Sequence, residues 1–129
     1  MIPFCADQSV GLLPWSPLAR GVLARGLKAT TERASTDDYA RNLYGATLPL
    51  SDRAIHEAVQ RIAGERGVPA AQVALAWLCQ RPGVIAPIVG ASKPNQLEDA
   101  VAALSLGLTD KEISDLESPY LPHAVAGHS

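Results

Sequence analysis

Two neighbouring apolar segments constrain this chain more than anything else in it. Val73, Ala74, Leu75, Ala76, Trp77 and Leu78 follow one another without a polar break inside a helix expected over 70–80. A helix that is apolar nearly all round needs protein on most of its sides. Pro82-Gly83 stops it, and Val84-Ile85-Ala86-Pro87-Ile88-Val89 follows as a continuous apolar strand over 84–89. Such strands belong to parallel sheets covered on both faces, where alternation of polar and apolar residues is lost. The 129 residues offer one further strand candidate, over 11–16. Two strands do not make a satisfactory parallel sheet. The pattern therefore predicts part of a larger α/β domain rather than a self-contained small one.

The remaining elements read as additions to this βα alternation. Residues 1–8 are a helix remnant. In the strand 11–16, Pro14 lacks a ladder donor, which suits the end of a strand leading into a loop. Residues 24–47 form a long polar loop, with one short helix near Asp37–Leu43, and are expected to be mobile. In the helix 52–66, Ser51 is the cap and Leu50 staples onto Ile55. Ile55, Val59, Ile62 and Ala63 recur at helical spacing, while Arg53, Glu57, Arg61 and Glu65 stay outside. Gly67 ends this helix, and Pro69 opens the next. The helix 94–104 turns Leu97, Val101 and Leu104 inward. The helix 110–117 has the cleanest start: Thr109 and Glu112 form a capping box, and Leu108 staples onto Ile113. Ile113 and Leu116 are its inner face. The tail 118–129 is extended at Pro119 and Pro122.

Composition excludes several classes of function. Lys and Arg total 11 against 13 Asp and Glu, a net charge of -2, so no basic field for nucleic acid or anionic lipid exists. No apolar run approaches the roughly 18 residues a membrane span needs. The start, MIPFCADQ, has no basic region followed by an apolar one, so the cytoplasm is the default compartment. Cys79 reads as a small buried hydrophobe, and no disulfide to Cys5 is expected. His56, His123 and His128 lack zinc spacing and are read as surface or tail residues.

Two loops carry the chemistry. Gly90-Ala91-Ser92-Lys93-Pro94 follows the second strand and opens a helix. Small residues there permit close approach, Ser92 brings a hydroxyl, Lys93 a charge, and the helix start free amides that favour an anion. Gln96 and Asp99, three apart, reach the same place. The plainer alternative is an ordinary βα turn with a capping serine. Ser16-Pro17-Leu18-Ala19-Arg20-Gly21 leaves the first strand. In parallel α/β folds ligands gather at that end of the strands. Ser16 and Arg20 suit a phosphate; the alternative is a proline-stiffened loop with a solvent-facing arginine. Trp15 stands where it would line a cavity, whereas Trp77 reads as core. No nucleophile elbow, Walker loop, GxGxxG fingerprint or paired catalytic carboxylates occur. The residues thus describe an anion or cofactor rim without a reaction centre.

Four stretches carry a family resemblance: Leu13–Gly21, Gln72–Leu78, Ala86–Pro94 with Gln96-Leu97, and Pro119–His123. Together and in this order they resemble the carboxyl-terminal part of the aldo-keto reductases, (β/α)8-barrel oxidoreductases that use NADPH. The likeness is to the bacterial branch acting on general aldehydes and ketones. It implies a C-terminal fragment of a TIM barrel, its seventh and eighth strands parallel, with four to five helices and the barrel incomplete. It also implies that Ser16, Pro17, Leu18 and Arg20 touch the pyrophosphate of NADPH, with Gly21 permitting close approach. Gly90, Ala91, Ser92, Lys93, Gln96 and Asp99 would hold the 2'-phosphate and adenine, Lys93 neutralising the extra phosphate. Asp99-Ala100 stands where many members have Glu-Asn, so the resemblance does not carry over the adenine contact of that Asn.

The family's catalytic Asp, Tyr, Lys and His come from the first half of the barrel. No stretch here matches them, so no catalytic residue is assigned and the chain alone is expected to be inactive. Its initial Met falls within what the resemblance makes the sixth helix, which suggests a truncated frame, a misassigned start or an expressed fragment. The expected partners are an N-terminal barrel half or a second copy, joined through the exposed barrel edge. A small carbonyl substrate is expected only in a complete barrel, and neither nucleic acid nor membrane is expected.

Overall fold

The computed structural model describes residues 1–25 and 50–122. The expected helix near Asp37–Leu43, most of the loop 24–47, and His123 and His128 lie outside the described residues. Among those described, five α-helices occur: α1 (Ile2–Asp7), α2 (Leu50–Arg66), α3 (Ala70–Cys79), α4 (Pro94–Ala102) and α5 (Asp110–Glu117). A short 3-10 turn, Ala103–Ser105, follows α4. No helix is long and apolar enough to cross a membrane among the described residues. Cys5 and Cys79 are both free thiols.

The core lies between α2, α3 and α5. Val59, Ile62 and Ala63 from α2 meet Val73, Ala74 and Ala76 from α3, and Leu108 and Leu116 close the cluster. Ile62 and Val73 are fully buried. Each such side chain stabilises the fold by about 1.5–3 kcal/mol relative to exposure. The α2–α3 corner is a Schellman motif. Gly67 adopts φ 65°, its N–H donates to Gly64 O, and the Val68 N–H donates to Ala63 O. The left-handed conformation needs glycine there, and Val68 packs back onto the core.

The α5 cap forms as its sequence predicts. Thr109 Oγ1 accepts from the Glu112 N–H at 3.3 Å, and Glu112 Oε2 accepts from the Thr109 N–H at 2.7 Å. The same carboxylate receives two 2.6 Å bonds from the Arg66 guanidinium at the end of α2. Arg66 first, and the Thr109 N–H second, hold the Glu112 carboxyl at about 2, against an ordinary 4.5.

Other expectations need correction. Ser51 does not cap α2. The helix already includes Leu50 and Ser51, and the Ser51 hydroxyl donates to Asp52 Oδ1 at 3.4 Å. Leu50 is exposed and staples nothing. The helix expected over 94–104 tightens to 3-10 geometry after Ala102, and Leu97, Val101 and Leu104 are exposed instead of turned inward. His56 is buried, not a surface residue.

The largest correction concerns the two parallel strands. Among the described residues no strand forms. The segments 11–16 and 84–89 meet in two isolated parallel bridges, Leu12 with Val84 and Trp15 with Ile88. Three backbone bonds hold them: Leu12 N–H to Gly83 O, Ile85 N–H to Leu12 O, and Ile88 N–H to Pro14 O. Pro14 and Pro87 have no N–H to extend the ladder, and neither segment has a second neighbour among the described residues. Burial on both faces is therefore absent: Ile85 is 73% and Ile88 56% exposed. At Gly11 the segments come so close that a Cβ would fall 2.3 Å from Ile85 Cγ1.

Candidate functional site

Pairing in parallel gives both segments the same direction. Ser16 follows Trp15 by one residue, and Gly90 follows Ile88 by two. The loops Ser16–Gly21 and Gly90–Lys93 therefore leave one edge, as a shared rim requires. Their own charged side chains, Arg20 and Lys93, are both cationic.

The first loop is unusually bent. Ser16, Ala19 and Arg20 have φ of 52°, 48° and 54°, and Gly21 follows at 89°. For residues with a Cβ this left-handed backbone costs roughly 1–2 kcal/mol each, so something must hold it. Internal bonds supply part of the hold. The Ala19 N–H donates to Ser16 O at 2.9 Å, Gly21 N–H to Leu18 O at 2.8 Å, and Arg20 N–H to Ser16 Oγ at 3.3 Å. The Arg25 guanidinium supplies more, donating to Gly21 O and to Arg20 O at 3.0 Å each. A Cβ on Gly21 would lie 2.9 Å from Arg25 Nη2. The close approach that Gly21 permits here is thus to Arg25. Pro17 and Leu18 are half-buried, and Leu18 packs with Leu23 against the helical core.

The second loop is open. Gly90, Ala91, Ser92 and Lys93 are exposed, and no atom of the described residues lies within 4 Å of where a Gly90 Cβ would stand. Gln96 Oε1 accepts from the Ser92 N–H at 2.8 Å, Ser92 Oγ at 3.2 Å and the Lys93 N–H at 3.2 Å. Three donors thus converge on one oxygen. The Lys93 ammonium cannot accept the reciprocal bond of a capping box, and it makes no ion pair among the described residues. Asp99 Oδ1 accepts from Gln72 Nε2 at 2.8 Å, which ties α4 to α3. The structure thus brings Ser92, Lys93 and Gln96 into contact, brackets Ser16 with Arg20, and gives Asp99 a partner within the fold.

Other features lie elsewhere. Trp15 is 63% exposed beside the rim. Trp77 donates from Nε1 to Glu117 at 2.9 Å, under the Arg81 guanidinium. A depression of about 150 Å3 lies between α1 and the Pro82-Gly83 turn, and one of about 440 Å3 along α5. Neither includes a rim residue.

Sequence reasoning missed Arg25 and His56. His56 is 3% exposed, and its Nε2 meets Arg25 O at 2.5 Å. The signal was available. His56 stands three residues before Val59 and seven before Ala63, on the inner stripe of α2.

Comparisons with known proteins identify relatives of this chain. The chain is 43% identical over 126 residues to the versiconal hemiacetal acetate reductase of Aspergillus parasiticus, covering 97% of this chain and 36% of that protein. It is 41% identical over 131 residues to the aldo-keto reductase AMT2 of Alternaria alternata, covering 100% of this chain and 34% of that one. It therefore spans about a third of the length of these relatives. Among solved structures, the glycerol dehydrogenase of Gluconobacter oxydans superposes with a TM-score of 0.67 at 21% identity, over all of this chain and 40% of that one. That likeness speaks for the fold alone. The model of the aldo/keto reductase family matches residues 1–120, and the chain belongs to that family.

Proposed function

We propose that these 129 residues supply part of the NADPH site of an NADPH-dependent carbonyl reductase, without its catalytic groups. The supporting observation is the convergence of the Ser92 N–H, Ser92 Oγ and Lys93 N–H on a single oxygen, beside an ammonium with no ion-pair partner among the described residues. Donors arranged around one oxygen suit a phosphate, whose oxygens accept in the same way as Gln96 Oε1. When bound, NADPH supplies a hydride to a carbonyl carbon, giving an alcohol once the oxygen is protonated.

On this reading Ser92 and Lys93 bind the 2'-phosphate, with Gly90 leaving room for it. Gln96 releases its three donors and turns toward the adenine side. Asp99 keeps α4 on α3 through Gln72 and so orients the phosphate loop. Ser16, Pro17, Leu18 and Arg20 face the pyrophosphate. No stretch matches the family's catalytic Asp, Tyr, Lys and His, so on this reading the chain alone turns over no carbonyl. The branch is that of bacterial general aldehyde and ketone reductases, supported by Leu13–Gly21 and Ala86–Leu97. A small carbonyl substrate and a cytoplasmic setting belong to the same reading.

Titration of the pure chain with NADPH, followed by cofactor fluorescence with NADH as control, tests it. Saturable binding that prefers NADPH is expected. Lys93→Ala should weaken NADPH about tenfold and NADH less than about twofold, because only NADPH carries the additional phosphate. Equal loss for both cofactors, or no binding, would sink the proposal.

The exposed side chains of Leu13, Trp15, Ile85 and Ile88 favour a second reading. In it the chain is a non-catalytic complementation piece that pairs with an N-terminal barrel half or with its own copies. Concentration-dependent self-association without cofactor binding would support that reading over the first.

A further inference from the structure

His56 and Arg25 lie outside the rim, yet they join it to the core. The ring of His56 is buried on the inner stripe of α2. Its Nε2 meets Arg25 O, and a carbonyl oxygen only accepts, so Nε2 carries the proton. Nδ1 is buried and has no hydrogen-bond partner among the described residues. The Nε2–H bond thereby fixes the ring at the foot of the first loop. From that anchored residue the Arg25 side chain reaches back to the carbonyls of Gly21 and Arg20. These two residues, with Ala19 and Ser16, carry the left-handed backbone.

We propose that His56 and Arg25 are positioning residues that hold the Ser16–Gly21 loop in its left-handed conformation. His56 acts on the Arg25 backbone, and the Arg25 guanidinium acts on the loop carbonyls. The consequence for cofactor affinity rests on the function proposed above. The claim about the loop stands on the geometry alone. Leu18 and Leu23 anchor the same segment by apolar packing, but apolar contact is not directional. It keeps the loop near the core without selecting φ at Ala19 or Arg20. Directed bonds to specific carbonyls do select it.

The test compares four versions of the 129-residue chain: wild type, His56→Leu, His56→Gln and Arg25→Ala. Amide hydrogen exchange is read at Gly21, Val22 and Leu23, whose N–H groups bond within the loop, and at α2 and α3 as internal reference. His56→Leu and Arg25→Ala should each speed exchange in the loop about tenfold, with the reference amides changing less than about twofold. His56→Gln keeps a donor for Arg25 O and should restore most of the protection. NADPH dissociation constants should follow the loop, rising about tenfold for His56→Leu and Arg25→Ala and recovering for His56→Gln. Loop exchange unchanged in Arg25→Ala would overturn the proposal. So would faster exchange spread evenly over α2 and α3 in His56→Leu, or a His56→Gln chain that behaves like His56→Leu. Where His56→Leu does not fold, Arg25→Ala and His56→Gln decide. A wild-type chain that binds no NADPH would defeat the functional reading while the exchange data still settle what holds the loop.

Discussion

Ile62 in α2 and Ile88 in the second extended segment are the same residue type in opposite surroundings. Ile62 is fully buried between three helices, whereas Ile88 is 56% exposed on an edge held by three backbone bonds. The helical layer finds its partners within about sixty residues of chain, so its apolar stripes close on one another. The rim has the composition of a buried parallel sheet and only one neighbour per segment among the described residues. Apolar character therefore means a finished core in one region and an unfilled demand for partners in the other.

The contrast can be broken most directly at these two isoleucines. Ile62→Ala should cost about 2–5 kcal/mol in urea unfolding, because a cavity opens in a packed core. Ile88→Ala, at the other extreme, should change stability by less than about 0.5 kcal/mol. A comparable loss at both positions would mean that the rim is covered in solution.

Between these extremes lie the polar devices of the helical layer. Thr109→Ala removes the α5 cap and should cost about 1 kcal/mol, read by thermal melting. The Glu112 carboxyl sharpens the same point through pH. Its folded value of about 2 lies below the ordinary 4.5, so its stabilisation is complete above pH 4.5 and is lost as pH falls toward 2. Glu112→Gln should flatten the decline in melting temperature across that window, by about 3 °C, since solvent screens the pair with Arg66. An unaltered acid limb would show that the Arg66 contact contributes nothing to folding.

Legibility followed the range of the forces involved. The Thr109–Glu112 cap, Gly67 as a helix stop and the α2 stripe could be read because each depends on residues within one or two turns. The rim loops could be read as loops, and their shared edge follows from a parallel pairing. The inward face assigned to Leu97, Val101 and Leu104 could not be right for the described residues, because helical spacing specifies a face and not what covers it. Ser51 failed as a cap for a related reason: a capping residue is defined by where the helix starts, and several positions near Leu50 are compatible.

The sequence by itself determined which residues turn, cap and stripe, since 3.6-residue periodicity and side-chain-to-backbone bonds act locally. It also carried the family, through motifs whose order survives whatever surrounds them. Only the tertiary structure decided that Arg25 closes over Gly21, that His56 is buried beneath Arg25, and that Gln96 gathers the donors of the Gly90–Lys93 loop. The second is a meeting between residues that sequence spacing leaves free to be anywhere, and the other two join residues four apart through the local shape of a turn. All three depend on directed hydrogen bonds, which form only after packing has brought donor and acceptor within about 3 Å.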